Sequence, residues 1–415
     1  MITIGFCGAT HLGLCYSTAA AEKGFNVICF DYDKNKIKKL NSLDIEINEP
    51  KLKKLIKKNR AKIIFTDDIS QFSKSNFVYF SYDVDTDKSG KSDENRLKKK
   101  LEYLIAKLNK NIPLIILSQV YPGFTRRYFK IKNNLYYQVE TLVFGNALDR
   151  ALKPERFIIG SNNPNVRIFN KIRIYLDSFN CPILIMKYES AELAKIAINC
   201  FLASSVTMTN TLAEISNIIG ASWEEIIPTL RLDKRIGKFA YLKPGLGISG
   251  GNIERDLTTI KNIGKKYKSN VGMIKSIINL SKYNKNWLFK TISYYIKNQK
   301  NLEISIIGLA YKENTNSIKN SPSIELIKKI RHSKIKVYDP VVKEIKMKNI
   351  IECDNAYSAI EDTNILVVAT PWEEFKKLDI NIIASKMKGN IIIDPYKVLN
   401  KTSIDRLGFK YYFIG

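Results

Sequence analysis

Two groups of residues in this chain have types and spacings suited to chemistry, and a third is telling for what it lacks. The first is Gly8-Ala9-Thr10-His11-Leu12-Gly13, between an apolar run, Ile2–Phe6, and a segment of helical composition. A glycine turn between a strand and a helix admits a pyrophosphate against backbone N–H groups, where the helix dipole favours an anion. Asp31 ends the next apolar run, Asn26–Phe30, at the place where a carboxylate takes the ribose hydroxyls of a dinucleotide. Asp31 favours NAD over NADP, because a carboxylate repels a 2′-phosphate and no arginine follows immediately. Thr10 stands where the usual pattern has its middle glycine; its hydroxyl can donate to phosphate instead, and the alternative is a turn of the same shape that binds nothing.

The second group is Lys195 and Asn199, four residues apart in a segment rich in Ala and Ile. At that spacing they share one helix face. A lone lysine there would reach out to solvent, but an asparagine one turn on argues for a polar face lining a cleft. The third group is negative: six cysteines lie far apart, without a C-x-x-C pair and with only two histidines. That composition offers neither a zinc set nor a disulfide framework, and implies a reducing, cytoplasmic setting with no metal.

The elements that must hold these residues follow from patterning. Besides the two strands already named, Ala61–Phe65, Asn76–Phe80, Ile112–Leu117 and Arg156–Gly160 are short apolar runs separated by amphipathic stretches. Such alternation implies a parallel sheet with helices on both faces. Leu12–Lys23 reads as a helix closed by Gly24. From Ser190 to about Ile219 one long helix is expected, then a shorter one over Trp223–Leu230, a glycine-rich loop over Pro244–Gly251, and helical periodicity to about Gln299. A second β/α run starts at Leu302–Gly308 and continues through Lys334–Tyr338, Asn364–Ala369 and Asn390–Asp394. The fold class is therefore α/β: two Rossmann-like, doubly wound parallel-sheet domains joined by a helical central domain. The boundaries fall at 1–188, 189–299 and 300–415.

A length of 415 residues suits two or three such cores, and 45% hydrophobic with 26% charged residues is a globular balance. No uninterrupted apolar run reaches the roughly 18 residues of a membrane-spanning helix, so no membrane partner is expected. The first residues lack a basic leader and are interrupted by Gly8 and Gly13, so they read as mature structure. The formal charge of +27 invites a nucleic-acid reading. Lysines are instead spread over solvated helix faces, as in Lys51–Lys58, and no nucleic-acid-binding motif is present. No nucleic acid is expected; a basic surface would instead steer a small anionic ligand toward its cleft.

The middle of the chain carries a specific resemblance. Tyr241-Leu-Lys-Pro-Gly245-Leu-Gly247-Ile-Ser-Gly250-Gly251-Asn252-Ile-Glu-Arg255-Asp256 resembles the Y-L-x-P-G-x-x-x-G-G-S-C-x-P-K-D loop of nucleotide-sugar (UDP-glucose/GDP-mannose) dehydrogenases. Ala191-Glu192-Leu-Ala-Lys195-Ile-Ala-Ile-Asn199 is similar to their A-E-x-x-K-x-x-x-N helix. Gly308-Leu-Ala-Tyr-Lys312 with Ser321-Pro322 is similar to the start of their third domain. Glu49-Pro50, Lys153–Arg156 and Trp372–Phe375 are smaller echoes in the same order.

The resemblance implies oxidation of the C6 alcohol of a nucleotide-sugar to a carboxylate, with two NAD and a covalent thioester, in polysaccharide biosynthesis. It assigns Lys195 and Asn199 to the developing oxyanion, and Asp256 to a water that assists proton removal. Glu140 matches the first acid of E-F-L-R-E. Gly8, Thr10, His11, Leu12, Gly13, Asp31 and Gln119 would bind cofactor. Arg235, reaching across a homodimer, would bind substrate with Tyr241, Gly247, Gly250 and Lys312. The departures fall where covalent chemistry would occur. Asn252 holds the cysteine position, Phe144 the second acid, Gln119 a threonine, Asp83-Val84 a Thr-Pro, and Lys319 an arginine. An amide is no nucleophile where a thiolate is. The expected function is NAD-dependent oxidation of a nucleotide-sugar CH–OH group, stopping at the aldehyde or running reversibly. The alternatives are a non-catalytic nucleotide-sugar-binding homologue and, on charge alone, a nucleic-acid binder. Asp256 has a simpler alternative as the cap of a helix starting near Leu257, and Glu140 one as an ordinary surface acid.

Overall fold

The computed structural model describes residues 1–86, 92–93, 95–298, 302–330, 334–347 and 349–415. The expected domain boundary at 299/300 and the expected helix end at Gln299 lie outside the described residues. The chain forms two compact units, 1–198 and 199–415.

The first unit is built on strands β1 (Thr3–Cys7), β2 (Asn26–Phe30), β3 (Ile63–Thr66), β4 (Phe77–Phe80), a small hairpin of β5 (Asp85–Thr86) and β6 (Ser92–Asp93), then β7 (Leu114–Ile116), β8 (Leu135–Gln138), β9 (Phe157–Ser161) and β10 (Ile183–Lys187). The main sheet has the order β10-β9-β8-β7-β4-β1-β2-β3. Its central strands are apolar at successive positions because helices cover both faces, which leaves no solvent side to alternate toward. One pair departs from the expected parallel pattern: β8 runs antiparallel to β9. The helix His11–Glu22 packs its Ala19-Ala20-Ala21 run into the core, where the small side chains allow close approach. Gly24 then ends it with φ +97°, a left-handed conformation that a Cβ disfavours.

The helix Tyr188–Ile219 begins in this unit and continues into the second. By length and composition it is apolar enough to cross a membrane, with a mean hydropathy of 1.3 in its best window. Polar residues such as Lys195 and Asn199 interrupt its apolar run without lowering the average far. Both are buried with protein partners, as a core helix would hold them.

The second unit opens with the rest of that helix and with the helices Trp223–Leu232, Asn252–Lys266, Gly272–Lys285 and Trp287–Asn298. Strands β11 (Glu303–Ile307), β12 (Lys334–Tyr338), β13 (Ile350–Glu352), β14 (Ile365–Val368), β15 (Ile391–Ile393) and β16 (Lys410–Tyr412) follow. They form one sheet, ordered β13-β12-β11-β14-β15-β16 and parallel throughout. Its core gathers Ile304, Ile306, Val337, Val367 and Ile392 from the strands with Leu326 and Ile383 from the covering helices. The helix expected to start near Leu257 starts at Asn252, because the run Gly250-Gly251 is where the chain turns into it. Asp256 therefore lies inside the helix and does not cap it.

Candidate functional site

In the first unit the glycine turn is built as a close approach of backbone to backbone. Gly8 has φ +120°, and a Cβ there would come within 3.0 Å of the Tyr82 amide nitrogen. A Cβ on Gly13 would lie 1.8 Å from the Gly8 carbonyl oxygen, so the helix can rest on the turn only without a side chain. Leu12 anchors the same turn in the core. Thr10 is the N-cap, with its Oγ1 accepting from the Gly13 N–H at 3.3 Å and donating to the Ser81 carbonyl at 2.7 Å. The single hydroxyl proton is thus already used, which corrects the expectation that Thr10 donates to phosphate. Asp31 ends β2 and is buried; its Oδ2 accepts from the Ala9 N–H at 2.9 Å and from Lys36 Nζ at 3.3 Å. The cradle that a Cβ would fill and the carboxylate at the end of β2 fit a dinucleotide, with the phosphates at the helix start and ribose near Asp31.

His11 follows the cap. Its Nε2 lies 2.8 Å from Glu49 Oε2, and its ring stacks on Phe144 at 4.5 Å between centroids. Glu49 also accepts from the Gly145 and Ala147 amides at 3.0 and 2.7 Å. Burial pushes the Glu49 carboxyl up, but the hydrogen bonds from His11 and these amides outweigh it and hold it below its usual range. A carboxylate only accepts, so His11 Nε2 carries the proton. Cys15 Sγ, 3.9 Å from that same nitrogen, therefore has no base there. Burial and the Glu49 charge push its thiol far up. The Cys–His–Glu grouping is inert.

Lys195 projects from the long helix to Glu140, with Nζ 3.4 Å from Oε2 and both side chains nearly buried. Glu140 also accepts from the Leu142 N–H at 2.7 Å. At 9% exposure Glu140 is buried, unlike an ordinary surface acid. Gln119 follows β7 in a half-buried position, next to Ser118, whose hydroxyl donates to the Tyr82 carbonyl at 2.5 Å.

In the second unit Asn199 donates its Nδ2 to Asp256 Oδ2 at 2.6 Å, both groups buried. Arg255 Nε lies 3.6 Å from the other Asp256 oxygen. Cys200, beside Asn199, has its thiol pushed up to about 11 by burial and by the Asp256 charge. Asn252 is the first residue of its helix and is exposed. The loop before it is held tightly. A Cβ on Gly247 (φ +78°) would lie 2.7 Å from the Ser281 carbonyl, and one on Gly250 (φ +91°) would lie 2.9 Å from the Tyr311 ring. Lys312 Nζ sits 5.9 Å from the Tyr311 ring centroid. Tyr241 is half exposed, and its carbonyl accepts from Thr209 at 2.8 Å. Arg235 is exposed over 89% of its side chain and pairs with Asp233 at 2.6 Å.

The structure thus brings together Lys195 with Glu140, and Asn199 with Asp256. Several supporting residues were not singled out from sequence. Lys285 pairs with Glu254 at 2.5 Å, and Asn320 donates to both Glu254 and the Gly250 carbonyl; Lys319, which the sequence does mark as standing at an arginine position, packs its side chain over Gly251. Ser281 donates to the Ile248 carbonyl and accepts from its N–H. Glu254 inside the loop motif was the available signal; its partners lie far off in sequence and give none.

Three models of one family match successive parts of the chain. Residues 2–177 match the NAD binding domain of the UDP-glucose/GDP-mannose dehydrogenase family, 189–283 its central domain and 305–401 its UDP binding domain. A UDP-glucose 6-dehydrogenase of Rickettsia typhi is 29% identical, over 100% of this chain and 99% of its own. The UDP-glucose 6-dehydrogenase TuaD of Bacillus subtilis is 28% identical, over 100% and 93%. The solved UDP-glucose dehydrogenase of Pyrobaculum islandicum, 20% identical, superposes with a TM-score of 0.87 over 100% of this chain and 97% of its own.

Proposed function

Because the chain belongs to the UDP-glucose/GDP-mannose dehydrogenase family, we propose that it is an NAD-dependent oxidoreductase acting on a nucleotide-sugar and releasing the aldehyde. One observation carries this reading: the groups suited to the first oxidation are buried and bonded, whereas the cysteine position is an exposed Asn252. When bound, NAD accepts the hydride from the alcohol carbon. The alcohol proton goes to the Asp256 carboxylate, directly or through a water, and Asn199 holds that carboxylate in place. Lys195 and Asn199, one turn apart on one helix, supply the ammonium and amide that stabilise the oxygen as charge develops on it. Glu140 fixes the lysine.

No sulfur stands at position 252, and Cys200 stays a thiol at neutral pH, so the aldehyde is not captured as a thiohemiacetal. The carbonyl is released, or reduced again in reverse. An exposed apolar stripe of Phe201, Met208, Ile215 and Ile219 on the long helix supports a homodimer, with the exposed Arg235 available to a second chain. Six unpaired cysteines support a reducing, cytoplasmic setting.

The test is product analysis. Purified protein is incubated with NAD and a panel of nucleotide-sugars, UDP-glucose first, and the products are weighed by mass spectrometry. The expected result is a sugar aldehyde or its hydrate with one NADH per sugar. A sugar carboxylate with two NADH would show another route to the acid. One observation favours a second reading, a non-catalytic binder: Thr10 fills the glycine position with its hydroxyl already engaged. Nucleotide-sugar binding without any NADH would establish it.

A further inference from the structure

The first turn of the helix Asn252–Lys266 carries position 252 and leads into Asp256, so the chemistry of the second unit depends on where that turn sits. Its N-cap, Gly251, has no side chain to bond the free N–H groups. The Y-L-x-P-G-x-x-x-G-G-S-C-x-P-K-D loop places a proline at the third residue of this helix. A proline there fixes φ and forfeits only an N–H without an intrahelical partner. This chain has Glu254 at that place. One of its carboxylate oxygens accepts from Lys285 Nζ at 2.5 Å, and the other accepts from the Asn320 amide. The Lys285 side chain is 7% exposed and that of Glu254 25%, so the pair is shielded from solvent. Lys285 closes the helix Gly272–Lys285, and Ser281, one turn earlier, is bonded to Ile248. One helix end thus holds the loop at residue 248 and again at residue 254. The Asn320 amide also donates to the Gly250 carbonyl at 3.0 Å, while the Gly250 N–H donates to the Lys319 carbonyl at 3.2 Å. Glu254 is therefore the point where three segments meet: the helix start, the end of the preceding helix pair's platform at Lys285, and the 319–320 turn.

We propose that Glu254 is a positioning residue: tied to Lys285 and Asn320, it replaces the restraint of a proline and holds Asp256 in the geometry of the first hydride transfer. This rests on the oxidoreductase reading, and the experiment separates the two claims. Variants are compared by single-turnover NADH absorbance, with NAD and the nucleotide-sugar that the parent oxidises, and by urea unfolding. Glu254→Ala with Lys285→Met removes both charges together, so no ion is stranded and stability should stay near that of the parent. The hydride step should nevertheless slow about tenfold, short of the roughly 100-fold cost of a 1 Å misplacement. Glu254→Pro with Lys285→Met should bring the rate back to within about threefold of the parent, because the ring restores the fixed first turn. A merely structural role would give both double variants one rate. Asn320→Gly keeps the left-handed backbone at φ +54° while removing the amide. It should slow the step about threefold, and it decides the matter if the double variants fail to fold. Parent turnover with an unchanged rate in Glu254→Ala/Lys285→Met, or in Asn320→Gly where that variant decides, overturns the role of Glu254 alone. A proline variant as slow as the alanine one, or a loss of rate that follows loss of stability, also overturns it. No NADH from the parent with any nucleotide-sugar removes the oxidoreductase reading and this proposal together.

Discussion

Lys195→Met separates a functional lysine from a structural one. The Lys195–Glu140 contact is 3.4 Å long between side chains that are 10% and 12% exposed. At an effective dielectric of about 20 the gross attraction is about 5 kcal/mol. Desolvation of two ions takes back most of it, leaving a pair worth about 1–2 kcal/mol net. Removing only the lysine leaves Glu140 nearly buried, but its hydrogen bond from the Leu142 N–H remains. The expected destabilisation is therefore about 2 kcal/mol, short of the 3–5 kcal/mol of a wholly stranded charge. Loss of the group that stabilises the developing oxyanion should cost about 100-fold in the first hydride step. Urea unfolding gives the first figure and single-turnover NADH absorbance the second. Glu140→Gln completes the comparison: it should cost similar stability but less rate, since the ammonium stays. If Lys195→Met turns over within about threefold of the parent, or if Glu140→Gln matches its loss of rate, Lys195 is a structural partner and the chemistry lies elsewhere.

Three further outcomes follow from the same geometry. Asn252→Cys should permit covalent capture of the aldehyde, seen as a sugar adduct by intact-protein mass spectrometry. Adding Phe144→Glu should speed its hydrolysis by supplying an acid/base, and no adduct with either variant would refute the role of position 252. The protein should sediment as a dimer, and Phe201→Asp with Ile215→Asp on the exposed helix stripe should shift it to monomer; a concentration-independent parent monomer would refute the interface. Gly13→Ala should cost about 3 kcal/mol, the upper end of overpacking, because its Cβ would lie 1.8 Å from a backbone oxygen that cannot move alone. NAD affinity should fall with it in calorimetry, and unchanged stability would mean that the helix can slide on the turn.

Much of the scaffold was legible because its strands are apolar runs with marked ends. Asn26–Phe30 is bounded by Gly24 and Asp31, and Lys334–Tyr338 ends at Asp339-Pro340; both strands have the expected limits. Leu135–Gln138 carries two tyrosines and a glutamine and reads as ordinary surface chain. Ile183–Lys187 passes straight into the helix at Tyr188 without a turn residue, so nothing in the sequence separates the two. The antiparallel β8–β9 pair depends on where an intervening segment returns the chain, which local patterning does not encode. At the site, residue types were legible but partners were not. Lys195 was visible as a polar residue on an apolar helix, yet its pairing with Glu140 arises only when the sheet brings the two together. Thr10 looked like a weakened glycine position. Its hydroxyl instead caps the helix and ties it to Ser81, so the residue exchanges a phosphate donor for a fixed turn.

The two halves of the family's chemistry are held by this chain in different ways, and that difference supports the aldehyde reading. Asn199 and Asp256 are buried and joined by a hydrogen bond of 2.6 Å, so replacing either one leaves the other desolvated. Their retention is therefore open to two explanations, stability and function, and by itself decides little. Position 252 carries no such ambiguity. It is exposed at the first turn of its helix, where Gly251 caps without a side chain. Exposed substitutions of this kind change stability within about 0.5 kcal/mol. On the proposed reading an asparagine there bears on reactivity and not on the fold, since the loop before it is fixed by Gly247, Gly250 and Ser281 through contacts that do not involve residue 252. Asn252→Cys should accordingly fold like the parent, and any difference between the two proteins in covalent capture can be assigned to the sulfur alone.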